Sequence, residues 1–263
     1  MIRLLFLAGI VSLAPLAARS QAKPVTVKTD SDILWAGADR AGDLFVVLAS
    51  GDVEKYDKAG KLIGTHHLEL PPTLLDPLDG VQSFYFQRAG NYYGNISADM
   101  TRLKTQVVDP SFAVRPWLVC PALHELWILD SADFSIKKTG MQSSMISLEA
   151  TLNHLPQKKI SDYVHLREYQ NYLFLLDRSA GIHMFNGLGK RIKTIGEKNL
   201  PYFNFLGEEI YFVVGQEIIL IDLYTNEKRS LPLDKSYHFV LLTEDRQYSI
   251  TDRSIIISTF IPG

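Results

Sequence analysis

Residues 44–63 read LFVVLASGDVEKYDKAGKLI. The apolar run at 44–48 predicts a buried β-strand, and the Ser-Gly-Asp triplet at 50–52 predicts a tight turn. Residues 53–56 alternate apolar and charged side chains, as a half-buried strand does, and residues 57–60 give a second turn signal. Together with the apolar segment at 33–38, this stretch predicts a four-stranded antiparallel meander.

The same order of strands and turns recurs at residues 163–195 and 202–231, and less regularly elsewhere. In each unit an aromatic residue is second in an apolar or strand-like run. These residues are Phe45, Tyr93, Trp127, Phe174, Tyr211 and Tyr248, separated by 34 to 48 residues. A period of this size is typical of stacked repeats and propellers. We therefore expect six blades, with each aromatic residue in a second strand, packed against the next blade.

The two ends of the chain predict how the ring closes. The last unit offers three strands, at 238–243, 246–251 and 254–260, whereas residues 24–29 alternate like a single strand. A propeller removes its open edge when the first strand completes the last blade. The predicted fold is an all-β six-bladed propeller closed in this way.

The N-terminus has the pattern of a secretory signal peptide. Arg3 precedes an apolar run at residues 4–16, and small residues follow at 17, 18, 20 and 22. This pattern predicts cleavage near residues 20–22 and a single mature domain at 23–263, located in the periplasm or secreted. An uncleaved anchor is the alternative, although the run is shorter than a membrane span requires.

The composition is that of an ordinary globular protein. The chain of 263 residues is 46% hydrophobic and 21% charged, with a net charge of −2. No global charge favours nucleic acid, so we expect no nucleic-acid partner, and we expect a monomer. Cys120 is the single cysteine. It therefore cannot form an intramolecular disulfide, and its apolar neighbours predict a buried, inert thiol.

Two segments appear longer than the repeat requires. Residues 68–80 contain three prolines, and residues 140–159 contain an amphipathic-looking run at 148–152. We expect both segments to be loops on one face, the second with a helical turn. Long loops on a rigid scaffold often carry function, so they are candidate contact surfaces.

A resemblance to a known repeat follows from two units. At 44–63 and 173–195, an apolar strand and a short loop precede a strand ending in Tyr-Asp or Phe-Asn, and Gly-Lys follows. This unit resembles the NHL-like six-bladed β-propeller repeat. Asp177-Arg178-Ser179 is similar to that family's loop between second and third strands, and residues 252–254 repeat it. The family includes lactonases, lyases and interaction modules, so the resemblance implies the fold without implying an activity.

The candidate binding surface consists of the loops between second and third strands and between blades. These loops carry Arg115, Asp130, Asp162, Asp177, Arg178, Asp252 and Arg253. A ring of aspartate and arginine side chains could bind a polar ligand or a peptide. Alternatively, the aspartates could cap their own turns.

The sequence contains none of the catalytic motifs that we considered. It lacks a Gly-x-Ser-x-Gly nucleophile motif, a phosphate-binding loop leading into a helix, and His-x-x-x-His spacing. The Glu, Asn and Asp residues cannot be assigned to equivalent inner positions of different blades, as a calcium site in a propeller would require. No catalytic residue, metal or cofactor is therefore assigned. His165 and His238 lie in first strands and could approach the channel.

The favoured hypothesis is an exported, non-enzymatic propeller that binds a protein or a cell-envelope component. A propeller hydrolase or lyase, with or without a metal, is one alternative. A small-molecule or glycan receptor is another, in which Trp35 and Trp117 could provide stacking surfaces unless they belong to the core.

Overall fold

The computed structural model describes residues 23–77, 81–140, 145–152 and 159–262. The predicted signal peptide, residues 1–22, lies outside the described residues. Within these ranges the regular elements are all β-strands, apart from 3-10 turns at Arg88–Gly90 and Ile160–Asp162. None of the described residues belongs to a helix that is long and apolar enough to cross a membrane.

The described strands form six four-stranded antiparallel sheets, which are the six predicted blades. Blade 1 contains β2 (Ile33–Ala38), β3 (Leu44–Leu48), β4 (Asp52–Tyr56) and β5 (Leu62–His67). Blade 2 contains β6 (Leu74–Asp76), β7 (Gln82–Gln87), β8 (Tyr92–Ser97) and β9 (Arg102–Val107). Blade 3 contains β10 (Pro116–Pro121), β11 (Glu125–Asp130), β12 (Ser135–Gly140) and β13 (Ile146–Thr151).

The second half of the ring repeats this order. Blade 4 contains β14 (Tyr163–Tyr169), β15 (Tyr172–Asp177), β16 (Gly181–Phe185) and β17 (Arg191–Ile195). Blade 5 contains β18 (Asn204–Leu206), β19 (Glu209–Val214), β20 (Glu217–Asp222) and β21 (Lys228–Pro232). Blade 6 contains β22 (Phe239–Leu242), β23 (Arg246–Ile250) and β24 (Ser254–Thr259), completed by β1 (Val25–Lys28).

The ring closes as the sequence predicts. Strand β1 pairs antiparallel with β24, so that Val25 lies opposite Ile257 and Lys28 opposite Ser254. Val27 packs against a buried cluster from blades 6 and 1 that includes Tyr248. The first strand therefore covers the open edge of the last blade and contributes to the core between the two ends of the chain.

The hydrophobic core lies between neighbouring blades. Each buried cluster combines side chains from two or three successive blades, such as Phe45 and Tyr85 from blades 1 and 2. Both faces of a blade are covered in this arrangement, and a strand covered on both faces has a continuous apolar run. Strand β3 shows this, since all five of its residues are buried.

Five of the six predicted aromatic residues lie in second strands, and one assignment is wrong. Tyr93 lies in the third strand of blade 2, whereas the second-strand position is held by Tyr85. Tyr85 lies opposite Leu75 of the first strand, just as Phe45 lies opposite Gly37 in blade 1. Both strands of this hairpin are rich in aromatic residues, so composition alone did not identify the second strand.

The two supposed insertions contain regular strands. The segment 68–80 includes β6, the inner strand of blade 2, and the segment 140–159 includes β13, the outer strand of blade 3. The predicted helical turn at 148–152 is wrong, because Ile146, Leu148 and Ala150 alternate with more exposed neighbours in a strand pattern. Residues 78–80, 141–144 and 153–158 lie outside the described ranges.

The closure leads to a stability prediction. Deletion of residues 23–30 should lower the melting temperature by roughly 10 °C, because it removes the β1 pairing and exposes the β24 edge. Differential scanning fluorimetry of the deletion variant checks this. A variant that lacks only residues 261–263, where Ile261 is exposed, serves as control. Equal melting temperatures for the two variants would contradict a stabilising role for β1.

Candidate functional site

The inner strands surround a central cavity of about 1060 Å³. It opens on the face that carries the loops between first and second strands, which we call the inner-hairpin face. Residues 39–42, 122–124, 170–171 and 243–245 from four of these loops line its mouth. This face is opposite to the one that carries the loops between second and third strands.

A ring of six residues, one from each inner strand, lines the deeper part of the cavity. In each blade, the second-strand aromatic residue lies opposite one residue of the inner strand, and this pair gives an equivalent position in all six blades. The next residue along each inner strand faces the cavity. These ring residues are Ala38, Asp76, Pro121, Glu168, Phe205 and Leu242. The ring therefore combines two carboxylates with apolar side chains.

Hydrogen bonds between blades hold part of this lining in place. The indole Nε1 of Trp127 donates to the Glu168 carboxylate of the next blade. The Tyr211 hydroxyl accepts from the Leu242 backbone N–H at 2.7 Å. The Tyr248 hydroxyl donates to the Gly42 carbonyl at 2.5 Å. All three partners line the cavity, so the second-strand aromatic residues position its wall as well as packing the blades.

Arg167 is the buried cation of this cavity. The residue is 8% exposed, and its Nη1 donates to Asn204 Oδ1 of the next blade at 2.6 Å. The guanidinium lies 5.5 Å from the centre of the Phe205 ring. Its Nε is buried and has no hydrogen-bond partner in the described part of the chain. Buried polar groups are normally satisfied, so this atom marks a place where a ligand could bind.

The wall of the cavity offers flat aromatic and amide groups. The Tyr169 and Phe205 rings stack with their centres 4.0 Å apart, and the Tyr169 hydroxyl donates to the Gly207 carbonyl at 2.6 Å. The amide side chains that line the cavity belong to Gln82, Asn95, Gln170, Asn171 and Asn204. A mixture of aromatic faces and amides can contact both the apolar and the polar parts of a ligand.

Below the cavity the channel is almost filled. A space of about 10 Å³ remains between Trp35, Leu75, His165 and neighbouring residues, which is the size of one water molecule at most. His165 therefore approaches the channel, with its ring 5.1 Å from that of Phe203. The same expectation for His238 is wrong, because His238 precedes β22 and pairs with Asp252 on the opposite face. Burial, and then the Arg167 charge, lower the pKa of His165 to about 3, so it is neutral at pH 7.

Two of the predicted site residues are buried and cap local structure. The Asp130 carboxylate accepts from the Val114 and Arg115 N–H groups at 2.9 and 3.0 Å, and pairs with Lys137 at 2.9 Å. These hydrogen bonds outweigh burial and lower the pKa of Asp130. The Asp177 carboxylate accepts from the Ser179 N–H at 2.8 Å and lies 3.4 Å from His183 Nε2.

The other predicted site residues lie on the same face as these two. Arg253 pairs with Asp32, and Asp252 lies 2.9 Å from His238, both pairs being exposed. Exposed Arg178 donates its backbone N–H to the Asp162 carbonyl at 2.9 Å. The seven predicted residues are not part of the lining of the central cavity. A role for them in binding stays a prediction about the opposite face.

The cavity residues were missed because no motif marks them. Arg167 and Asn204 come from inner strands of seven and three residues, and their contact depends on the register of two blades. A signal did exist: the two residues are 37 positions apart, which is also the step from Phe174 to Tyr211. When the units are aligned on their aromatic residues, Arg167 and Asn204 occupy equivalent positions in the inner strands of blades 4 and 5.

Possible metal ligands, the cysteine and two tryptophans are the other candidate groups of the sequence. Within the described ranges, no three His, Cys, Asp or Glu side chains lie close enough to hold a metal ion. Cys120 is fully buried, and burial raises the pKa of its thiol. Trp117 is covered by the Arg88 guanidinium, 3.5 Å from its ring, whereas half-buried Trp35 contacts the narrow part of the channel.

Comparisons with known proteins identify the fold. No protein-family model matches the sequence, and no curated protein matches it either. The virginiamycin B lyase from Staphylococcus aureus has a similar structure, with a TM-score of 0.59 and 13% identity over 91% of this chain and 99% of that one. The Pan2 WD40 domain of Neurospora crassa has a TM-score of 0.59 and 6% identity over 90% and 95%. At these identities the likeness shows the propeller fold alone.

The Tyr211 hydrogen bond gives the second prediction. The Tyr211→Phe variant leaves the buried Leu242 N–H without its acceptor, which should destabilise the protein by about 2 kcal/mol. Thermal unfolding should show a decrease of roughly 5 °C. Tyr237→Phe is the control, because that hydroxyl bonds to Asp234 on the surface. An unchanged melting temperature for Tyr211→Phe would argue against this contact.

His165 gives a prediction about acid stability. The folded protein keeps His165 neutral, whereas the unfolded chain protonates it below its ordinary pKa of 6.5. Between pH 6.5 and about 3 the unfolded state binds the extra proton. The free energy of unfolding therefore falls as the pH falls, by up to about 1.4 kcal/mol per pH unit.

Denaturant unfolding from pH 7 to pH 4 checks this expectation. The His165→Gln variant should lose stability less steeply than the unaltered protein, because glutamine does not titrate. His124→Gln alters an exposed histidine on the mouth of the cavity and is the matched control. Parallel pH profiles for the unaltered protein and His165→Gln would show that His165 does not cause the acid sensitivity.

Proposed function

We propose that this protein is an exported, non-enzymatic binding module that holds a protein or a cell-envelope component in its central cavity. The observation that carries the proposal is the cavity of about 1060 Å³, which is open at the inner-hairpin face and nearly closed below. Ligand sites are usually the largest preformed concave surface with a few convergent polar groups. The residues at 1–22 support export, and those at 44–63 and 173–195 support an NHL-like repeat within the propeller fold.

The mouth of the cavity supports contact with a large partner. Leu123 is 88% exposed at the tip of the β10–β11 hairpin and lines the mouth. An exposed large apolar side chain beside a concave surface is a common anchor in a protein interface. Arg40 and Glu244 lie on other hairpins of the same mouth and could form a polar rim.

The opposite face is the alternative surface. Its seven sequence-predicted residues include exposed charges, such as Arg178 and Arg253, that a partner could contact. We favour the inner-hairpin face because Asp130 and Asp177 are committed to contacts within the chain. Exposed charge pairs also contribute little to affinity on their own.

Site-directed photo-crosslinking can distinguish the two faces. A photoreactive amino acid would replace Leu123 on the inner-hairpin face or Ser179 on the opposite face, in the protein expressed in its own cells. We expect a discrete crosslinked partner from position 123 and none from position 179. Leu123→Asp should reduce co-purification of that partner at least about tenfold, the loss expected for an anchor residue.

The controls make the result interpretable. Arg178→Asp changes an exposed residue on the opposite face and should leave co-purification unchanged. Crosslinking from position 179 alone would favour the face predicted from the sequence. No crosslink from either position, with folded protein in both cases, would contradict the proposal of a binding module that acts through these faces.

A further inference from the structure

We propose that the deeper part of the cavity binds a short peptide that carries both a carboxylate and a cationic group. Arg167 holds the carboxylate. The inference rests on the proposed function, because it assumes that the cavity is the binding site. It adds the chemical class of the ligand: a short peptide in zwitterionic form, with a free N-terminal ammonium and a free C-terminal carboxylate. Arg167 and Glu168 are the residues that would recognise its two charges.

The unsatisfied guanidinium is the first observation. Arg167 is 8% exposed, and its partner in the described chain is the neutral Asn204 amide, 2.6 Å from Nη1. Its Nε has no hydrogen-bond partner among the described residues. A buried charge is costly unless it is paired, and guanidinium groups bind carboxylates in a planar, two-bond geometry. The cavity therefore presents a cation that an incoming carboxylate would satisfy.

The Arg167 side chain is also held in position. Asn204 accepts from one end of the guanidinium, while the Phe205 ring lies 5.5 Å from it. Arg167 lines both the large cavity and the narrow space beneath it, so the guanidinium lies where the two meet. A preorganised charge loses little entropy when the ligand binds, and this favours a specific site.

The carboxylates around Arg167 make the cavity a poor site for a ligand that carries only negative charge. Arg167, Arg40 and Lys58 are the lysine and arginine side chains of the lining, and Lys58 pairs with Asp245 at 3.1 Å. Five carboxylates share that lining: Asp39, Asp76, Glu168, Glu244 and Asp245. Because this surface carries more negative than positive charge, a ligand should bring a cationic group together with its carboxylate.

Glu168 is well placed to receive that cationic group. It follows Arg167 in the same inner strand and belongs to the ring. The Trp127 indole donates to one of its carboxylate oxygens, which holds the side chain in place. The other oxygen can accept from an ammonium or guanidinium group. A lining with an arginine next to a carboxylate thus matches the two opposite charges of a peptide.

The size of the cavity favours a peptide over a single amino acid. Its volume of about 1060 Å³ is at the upper end of the range for sites that enclose drug-sized ligands. The stacked pair of Tyr169 and Phe205 offers an apolar surface beside the charges. Peptide side chains could pack there while the backbone contacts the amides of the wall.

Equilibrium dialysis with peptide pools tests the proposal. The probes are a pool of tripeptides of mixed composition, the same pool with C-terminal amides, and the same pool with acetylated N-termini. Mass spectrometry would measure the enrichment of each on the protein side. We expect the zwitterionic pool to be enriched at least about tenfold over both others, as the loss of one charged hydrogen bond predicts.

Two variants assign the effect to Arg167. Asn204→Asp places a carboxylate where the amide oxygen accepts from Arg167, so it should preserve or raise the melting temperature while abolishing enrichment. Arg167→Gln should remove the preference for the free acid over the amide. Arg191→Gln is the control, because it removes an exposed cation from β17, the outer strand of the same blade and outside the cavity lining, and should keep the preference.

The outcomes separate this inference from the proposed function. Equal enrichment of all three pools, or no enrichment of any, would overturn the zwitterion site. Full enrichment with folded Asn204→Asp would overturn the assignment to Arg167. In either case a partner crosslinked from position 123 would leave the binding-module proposal standing. Free lysine, glycine and acetate in the same assay show whether an amino acid or a simple anion is bound instead, and equal binding of any of the three would contradict the inference.

Discussion

The hydrogen bond between a second-strand aromatic side chain and the inner hairpin of the next blade connects the packing of the ring to the shape of its cavity. Trp127, Tyr211 and Tyr248 each make such a bond. Apolar contact between blades is strong but has little directionality, whereas a hydrogen bond fixes the position of one particular atom. Phe174 has no polar atom, and at its interface the bond from Arg167 to Asn204 joins the blades instead. The unsatisfied Nε is thus located at an interface whose aromatic residue cannot form such a bond.

This construction makes the cavity a rigid site. The groups at its wall are held by backbone pairing within a blade and by side-chain bonds between blades, so they need little reordering when a ligand enters. Four of the inner hairpins, at residues 122–124, 170–171, 207–208 and 243–245, contain two or three residues between their strands, and short hairpins are constrained turns. Binding preference would then be set by the side chains on these hairpins and not by large movements of the blades. Leu123, for example, makes the tip of one hairpin apolar and exposed.

Much of the fold could be predicted from the sequence because the repeat is encoded locally. The apolar second strands and their turns recur at a regular step, and the unmatched strand at 24–29 predicts the closure. The local sequence pattern did not identify the strands that are shortest or most ambiguous in composition. Strand β6 has three residues beside several prolines, and β13 has an alternation that was mistaken for a helical pattern. The site was harder, since Arg167 faces Asn204 only after two blades are in register. The burial of Asp130 likewise depends on backbone N–H groups 15 and 16 residues away in sequence.

The pairing of β1 with β24 also has a kinetic consequence. Val25 and Ile257 are neighbours in space but are separated by nearly the whole length of the chain, so their contact closes a very long loop. Such non-local contacts slow folding, because the entropy of loop closure is lost before the contact is gained. During synthesis, blades 1 to 5 can collapse locally, but the sixth must wait until β24 has left the ribosome. Until then the apolar faces at the gap are exposed, and this interval is when the chain is most vulnerable to aggregation.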